Sequence, residues 1–272
     1  MMQKFGAFVL LAPALLVARP VEAAMPSIIP HRAIYDLELD VTRSSSGPGD
    51  IKGRLVFEAT GTECEGFTVN TRFVTQIIGE RGSLVNDLQS ATWEAGDGSS
   101  YRFITKNFLN RKLQEETDGI ASRDGDDISV DLKRPEEEEF ELSPKTLFPS
   151  QHVRRILQAA EAGERIVAAD VYDGSDTGRK AFATTTVIGE RQSSSDHTEE
   201  VGDDVLGGLA SWPVTIGYFD PDSDQPEIPT YEFSYDLFEN GVSRSIVLDY
   251  GDFVLTGELS GLEMLASTPC EQ

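Results

Sequence analysis

Cysteine and histidine are scarce in this sequence of 272 residues: two cysteines, at 64 and 270, and three histidines, at 31, 152 and 197. That scarcity removes whole classes of chemistry. No His-Glu-x-x-His pattern exists to hold zinc, and the Cys-x-x-Cys spacing of a dithiol redox centre is missing. Neither a Gly-x-x-x-x-Gly-Lys loop nor a dinucleotide-binding Gly-rich turn occurs, so no phosphate cradle is expected. His31 opens the first strand pattern and His197 falls in a polar loop, so neither is placed for a three-residue site. No metal and no cofactor is implied. Positive charge is short as well: 23 Lys and Arg face 47 Asp and Glu, a formal net charge of −24. Such a surface repels nucleic acid and anionic lipid head groups. Beyond the N-terminus, no run of residues is apolar enough to cross a bilayer.

The N-terminus itself reads as an export signal. Lys4 gives a positive start, Phe5 to Val17 form an apolar run broken by Pro13, and Val21-Glu22-Ala23 fits a small-x-small cleavage site. Residues 1–23 are expected to be removed, leaving an exported product of residues 24–272. No cysteine follows the apolar run for lipid attachment. In an oxidising compartment two cysteines make the even count that suggests one structural bridge, with free thiols or a redox pair as the alternatives. A Cys64–Cys270 bridge would close a loop of roughly 200 residues, which the chain-entropy model values at about 5 kcal/mol at most.

After the leader, apolar and polar residues alternate with period two, the mark of half-buried strands. His31 to Arg43 places Tyr35, Leu37, Leu39 and Val41 on one face. Further strand patterns follow, parted by Glu65-Gly66, by Gly96-Asp97-Gly98 and by Asp-Gly pairs at 118–119 and 124–125. One stretch breaks the rhythm. Pro149 and Ser150 precede the helically spaced Val153, Ile156, Leu157 and Ala160, and Gly163 ends the run, predicting one helix over about 150–162. Strands return from Arg165, a polar segment at 191–208 reads as a mobile loop, and Asn240-Gly241 is the strongest hairpin signal. The reading is a mainly β, single domain, an antiparallel meander of roughly fourteen strands around one helix.

The candidate site residues cluster at that helix and after the next strand: His152, Asp173, Ser175 and Asp176. A catalytic His152 needs an acceptor partner, yet Glu161 and Glu164, the nearest acids downstream, lie about two to three turns away. The plainer reading is a neutral residue packed under the first turn of the helix, where a positive charge is disfavoured. Asp173-Gly174-Ser175-Asp176 holds a turn former at every position and is not the Gly-x-Ser-x-Gly elbow of a hydrolase. The acidic run Glu136 to Glu139 reads as a charged edge strand that discourages aggregation. No catalytic residue is nominated. These four residues are expected to line a surface or a cavity wall.

Several stretches together carry a resemblance: HRAIYDL at 31–37, ECEGFTVNTRF around Cys64, LFPSQHVRRILQAAEAGE from Leu147, VYDGSDTG from Val171, and the TPC ending in Cys270. In this order they resemble the EipB family of periplasmic cell-envelope integrity proteins. The resemblance implies a β-spiral with a helix against it, similar in part to the outer-membrane lipoprotein carriers, and a bridge between Cys64 and Cys270. It implies a non-enzymatic role in envelope integrity and stress resistance, with a periplasmic tetratricopeptide-repeat protein as partner. The likeness to carriers adds a second reading, a lipid or acyl chain held in the concavity of the sheet. An unrecognised wall hydrolase is a third.

Overall fold

The computed structural model describes residues 28–44, 47–79, 82–193, 201–266 and 270. The expected leader, His197 and the middle of the polar loop lie outside them. Eight strands come first: β1 (His31–Thr42), β2 (Asp50–Thr62), β3 (Gly66–Gly79), β4 (Gly82–Glu94), β5 (Ser100–Leu109), β6 (Lys112–Asp124), β7 (Asp127–Arg134) and β8 (Glu138–Leu142). A helix, α1 (Pro149–Glu161), is followed by β9 (Ile166–Val171), β10 (Phe182–Ile188) and the two-residue β11 (Gln192–Ser193). The short helix α2 (Asp203–Leu206) leads to β12 (Ala210–Phe219), β13 (Tyr231–Phe238), β14 (Ser243–Asp249) and β15 (Phe253–Met264).

The pairing is antiparallel between neighbours, in the order β8-β7-β6-β5-β4-β3-β2-β1-β15-β14-β13-β12-β10-β9, with β11 added to β12. Two meanders are thus zipped together where the first strand meets the last, His31 opposite Met264 through to Thr42 opposite Phe253. The free edges, β8 and β9, are consecutive in the chain, and α1 lies between them. The sheet curves without closing. Alternation places Ala33, Tyr35 and Leu37 in the core, and the core-facing residues of β12 and β15 and the buried side of α1 join them. Each fully buried aliphatic side chain there is worth about 1.5–3 kcal/mol relative to exposure.

The helix begins at Pro149, whose missing N–H suits the first helical position. It ends in a left-handed Gly163 (φ 75), with Gly163 N–H donating to Ala160 O and Glu164 N–H to Ala159 O, so the terminal carbonyls are satisfied.

Two local expectations need correction. Asp118-Gly119 makes no turn; both residues lie inside β6, at a register shift against β7. The reversal between β5 and β6 is instead Asn110-Arg111, both at positive φ. Asn240-Gly241 forms the expected hairpin; Gly241 is left-handed and its N–H donates to Phe238 O, making a three-residue loop with a bulge. The described end of the polar segment is not loop but α2, whose Leu206 is buried and whose Asp203 pairs with Arg244 at 3.0 Å.

Candidate functional site

His152 projects from the first turn of α1 into the interior, where its Nε2 lies 3.4 Å from the Thr184 hydroxyl. That hydroxyl donates to Ala169 O at 2.8 Å. Among the described residues no carboxylate bonds to the imidazole. Burial lowers the pKa of His152 to about 4, so the ring is neutral at pH 7. A general base needs its acceptor partner and an approach for substrate; the position offers neither.

Asp173, Ser175 and Asp176 lie elsewhere, past the end of β9. The Ser175 N–H donates to Asp173 Oδ1 at 2.9 Å, the local bond of an Asx turn. Asp176 is exposed and pairs with Lys180 at 2.6 Å. No hydrogen bond joins these residues to His152 among the described residues, so the four do not assemble into one constellation. Nor is any group of three His, Cys, Asp or Glu side chains in the described residues placed to hold a metal ion.

The 173–178 turn is instead pressed against the opposite half of the sheet. Tyr101, on β5, donates its hydroxyl to Asp173 O at 2.9 Å, and Tyr172 donates to Gly178 O at 2.7 Å. Both tyrosines are buried in a second cluster with Phe103, Phe148, Ile128, Val130 and Leu132. Tyr101 stacks on Phe148 at 5.4 Å between ring centroids, and Phe103 meets Tyr172 edge-on at 5.6 Å. Three glycines converge on Phe103. A Cβ on Gly174 would stand 2.4 Å from its ring, one on Gly119 2.7 Å and one on Gly178 3.2 Å. Just beyond, Arg179 reaches the acidic edge strand, with Nε 2.8 Å from Glu138 and Nη2 3.0 Å from Glu136. The Asp-Gly-Ser-Asp-Thr-Gly turn therefore closes the seam between the two free edges.

A residue without a sequence signal anchors the start of the helix. Glu94, the last residue of β4, is buried and accepts from the N–H groups of Ser150 (2.7 Å) and Gln151 (3.2 Å). A carboxylate at the unsatisfied donors of a helix start is favourable. Burial nonetheless raises its pKa against those bonds. The Phe148 N–H donates to the Gln151 side chain at 3.0 Å. Arg154, one turn on, bonds Gly96 O at 3.2 Å and Glu63 at 3.4 Å. Glu63 adjoins Cys64, whose sulfur is bonded to Cys270 across 206 residues, with the Cα atoms 5.8 Å apart.

An open hollow of about 910 Å³ runs along the acidic edge and includes Glu138, the partner of Arg179. Two further open hollows, of about 420 and 440 Å³, adjoin on the outward face of β2–β7 and share Ala91 and Ile104, and the second reaches Phe103 and Gly119 of the seam. Neither includes His152, Asp173, Ser175 or Asp176. On the inward face of the same strands, Leu55, Phe57, Phe73 and Ile77 are only partly buried.

With fold and site in place, the comparisons with known proteins are decisive. The sequence model described as EipB-like matches residues 22–266. This chain belongs to the EipB-like family. It is 37% identical over 246 residues to the cell envelope integrity protein EipB of Brucella abortus (strain 2308), covering 89% of this chain and 86% of that one. It also superposes on a crystal structure from Brucella abortus, described as a beta-barrel-like protein of a domain of unknown function. The TM-score is 0.80 at 36% identity, covering 88% of this chain and 99% of the other. EipB-like membership is consistent with the geometry, in which the singled-out residues build the helix packing and the seam. No helix among the described residues is long and apolar enough to span a membrane.

Proposed function

We propose that this is a non-enzymatic periplasmic protein that supports cell-envelope integrity and stress resistance, exported by cleavage of residues 1–23 and folded from residues 24–272 as one domain. The observation that carries the reading is the 37% identity, over most of both chains, to a protein named for envelope integrity. The Cys64–Cys270 bond suits an oxidising compartment. A neutral, enclosed His152 and an Asp173 committed to a turn support a non-enzymatic role. A periplasmic tetratricopeptide-repeat protein is the proposed partner.

Deletion of the gene in its own host should sensitise cells to detergent and to cell-wall antibiotics. The full chain should restore resistance, and a chain without residues 1–23 should not. His152→Gln and Asp176→Asn should complement, whereas loss of rescue by either variant at normal protein levels would point to chemistry. A deletion strain as resistant as the parent would refute the envelope reading itself.

A carrier role is the second reading, favoured by the half-buried Leu55, Phe57, Phe73 and Ile77 on the concave side of the sheet. Native mass spectrometry of the protein from its own periplasm, followed by organic extraction, tests it. A stoichiometric acyl ligand supports a carrier, and a clean apo mass counts against one.

A further inference from the structure

The chain's two tryptophans have opposite surroundings. Trp212 is 4% exposed in the core, while Trp93 faces outward, on the side of β4 that bears Gln89 and Ala91. A strand position on a solvated face is ordinarily polar, so a tryptophan there needs a reason. Its ring is held on three sides. The indole N–H donates to Glu65 O at 3.3 Å, and the Arg102 guanidinium lies over the ring, 5.7 Å from its centroid. Gly66 (φ 82) lets the preceding turn pass close beside it, since a Cβ there would stand 2.8 Å from the indole nitrogen.

Residues directly opposite on neighbouring strands share a face, and here the rows sort by size. One row across the sheet is Arg72, Gln89 and Lys106, all long; another is Trp93, Arg102 and Ile120. Between them run Asn70, Ala91, Ile104 and Asp118, so a valley crosses the strands between two ridges, with Ala91 its lowest point. The hollows of about 420 and 440 Å³ are its two halves, joined at Ala91 and Ile104. From β2 to β6 it spans about 19 Å at the usual strand spacing. The register shift between β6 and β7 leaves Lys133 without an opposite residue, and this lysine lines the far end of the valley. The ridge charges are neutralised locally, Arg72 by Asp87 at 2.8 Å and Lys106 by Glu116 at 3.3 Å. The side chains of Thr68, Asn70, Asp118 and Lys133 make no hydrogen bond or ion pair among the described residues.

We propose that this valley binds a chain of N-acetylated hexosamines, with the sugar rings against Trp93. Asn70 and Gln89 meet the acetamido amides, and Ala91 and Ile104 seat their methyl groups. Other occupants fit worse. The backbone groups in the middle of the sheet are already paired with neighbouring strands, so an added peptide strand finds no partners. The valley is open and lined by polar groups, which leaves an acyl chain wetted. Asp118 and Lys133 balance one another, and a chain of net charge −24 repels polyanions. What stays unsatisfied is a mixed set of donors and acceptors beside an aromatic wall. That suits a ligand with amides and hydroxyls on its rim and an apolar ring face. The inference deepens the envelope reading and rests on it for where such a polymer is met; the site lies on the opposite face of the sheet from the carrier concavity.

Tryptophan fluorescence of the protein purified from its own host tests it, because acrylamide reaches Trp93 and not the buried Trp212. A saturating N-acetylglucosamine hexamer, or wall glycan stripped of its peptides, should lower the quenching constant at least twofold. Ala91→Phe, which fills the valley floor, should weaken binding at least tenfold by calorimetry with an unchanged Tm. Asn70→Ala and Asp118→Ala should each weaken it several-fold. Wall glycan carries lactyl carboxylates that the hexamer lacks. Tighter binding of wall glycan that Lys133→Gln removes assigns the site to the wall, and equal binding assigns it to the sugar backbone alone. No protection of Trp93 by either glycan, or binding indifferent to Ala91→Phe, overturns the proposal. Absence of binding beside a deletion strain that is still sensitised overturns this inference alone. A deletion strain as resistant as its parent strikes the envelope reading and leaves a measured glycan affinity standing.

Discussion

Gly174→Ala is the most revealing single change, because the structure supplies its own control. Gly174 and Gly163 have nearly the same backbone, φ 71 and φ 75. They differ in what a side chain would meet: nothing within 4 Å at Gly163, but the Phe103 ring at 2.4, 2.5 and 2.8 Å at Gly174. Left-handed strain alone should destabilise Gly163→Ala by about 1–2 kcal/mol. Gly174→Ala carries the same strain plus an overpacking term of about 1–3 kcal/mol, for a total of about 2–5 kcal/mol. Phe103 is buried in the seam cluster and cannot swing into solvent without uncovering Tyr101 and Tyr172. Urea unfolding of both variants gives the difference, with unchanged m-values as the check on two-state behaviour. A double-mutant cycle with Phe103→Leu sharpens it. Shrinking the ring should recover part of the Gly174→Ala loss, a coupling of about 1–2 kcal/mol, and recover nothing at Gly163. Equal destabilisation at the two glycines, or no coupling to Phe103, would refute the claim that the turn is a seam closure.

Cys64→Ser with Cys270→Ser should reduce stability by up to about 5 kcal/mol on the loop-entropy model, read by urea unfolding without reductant; a midpoint equal to wild type would remove the bridge from the stability account. His152 makes stability depend on pH: its folded pKa of about 4 lies below its ordinary 6.5, so its contribution is intact above pH 6.5 and is lost as pH falls toward 4, by at most about 3 kcal/mol. His31, lowered by burial too, acts with the same sign, so the wild type minus His152→Gln difference isolates His152, and a flat difference would contradict its burial in neutral form. Glu94 acts oppositely, since a raised carboxyl pKa gives stability that is present below the ordinary carboxylate range and lost as pH rises. Glu94→Gln keeps an acceptor for only one of the two N–H groups, which bond different carboxylate oxygens, and should be destabilised, though less than Glu94→Ala, which strands both donors and should lose about 1–3 kcal/mol in thermal or urea melts.

The parts of the fold legible in the sequence are those governed by local periodicity. Alternation along His31–Thr42 and the helical spacing of Ile156, Leu157 and Ala160 each reflect a single element choosing its buried side, and these elements lie where expected. The turn at Asp118-Gly119 was misread because the glycine answers a distant demand, the approach of Phe103 across the strand pair, rather than a local reversal. The true reversal, Asn110-Arg111, carries one favourable turn residue and one ordinary one. Glu94 had no signal at all: it is one acid among 47, distinguished only by the helix that comes to rest on it. His152 and the Asp173 turn were visible as unusual, yet the residue types could not say that one faces Thr184 and the other faces Tyr101.

An antiparallel sheet that curls without closing has two problems, its bare edges and its interior, and this chain meets both with the segment between β8 and β9. The interior is filled by α1, whose buried positions face both halves of the sheet: His152 toward β10, Ser150 and Arg154 toward the end of β4. The edges are treated unequally. Leu147 forms a bridge to Val171, covering part of β9 with N–H and C=O partners at 2.8 and 3.0 Å, while β8 is guarded by Glu136 to Glu139 and tied down through Arg179. The disulfide works on the same, N-terminal half of the helix. It fixes the turn that carries Glu63, and Glu63 meets Arg154, which also holds Gly96 beside Glu94. Covalent bond, ion pair and helix cap thus follow one another through contiguous residues. Reactive-looking groups gather along this line because closing an open sheet requires buried hydrogen bonds and close backbone approaches, which serine, aspartate, histidine and glycine supply. Their concentration here is explained by architecture, and the outward-facing Trp93 with the valley beside it is the feature that architecture leaves unexplained.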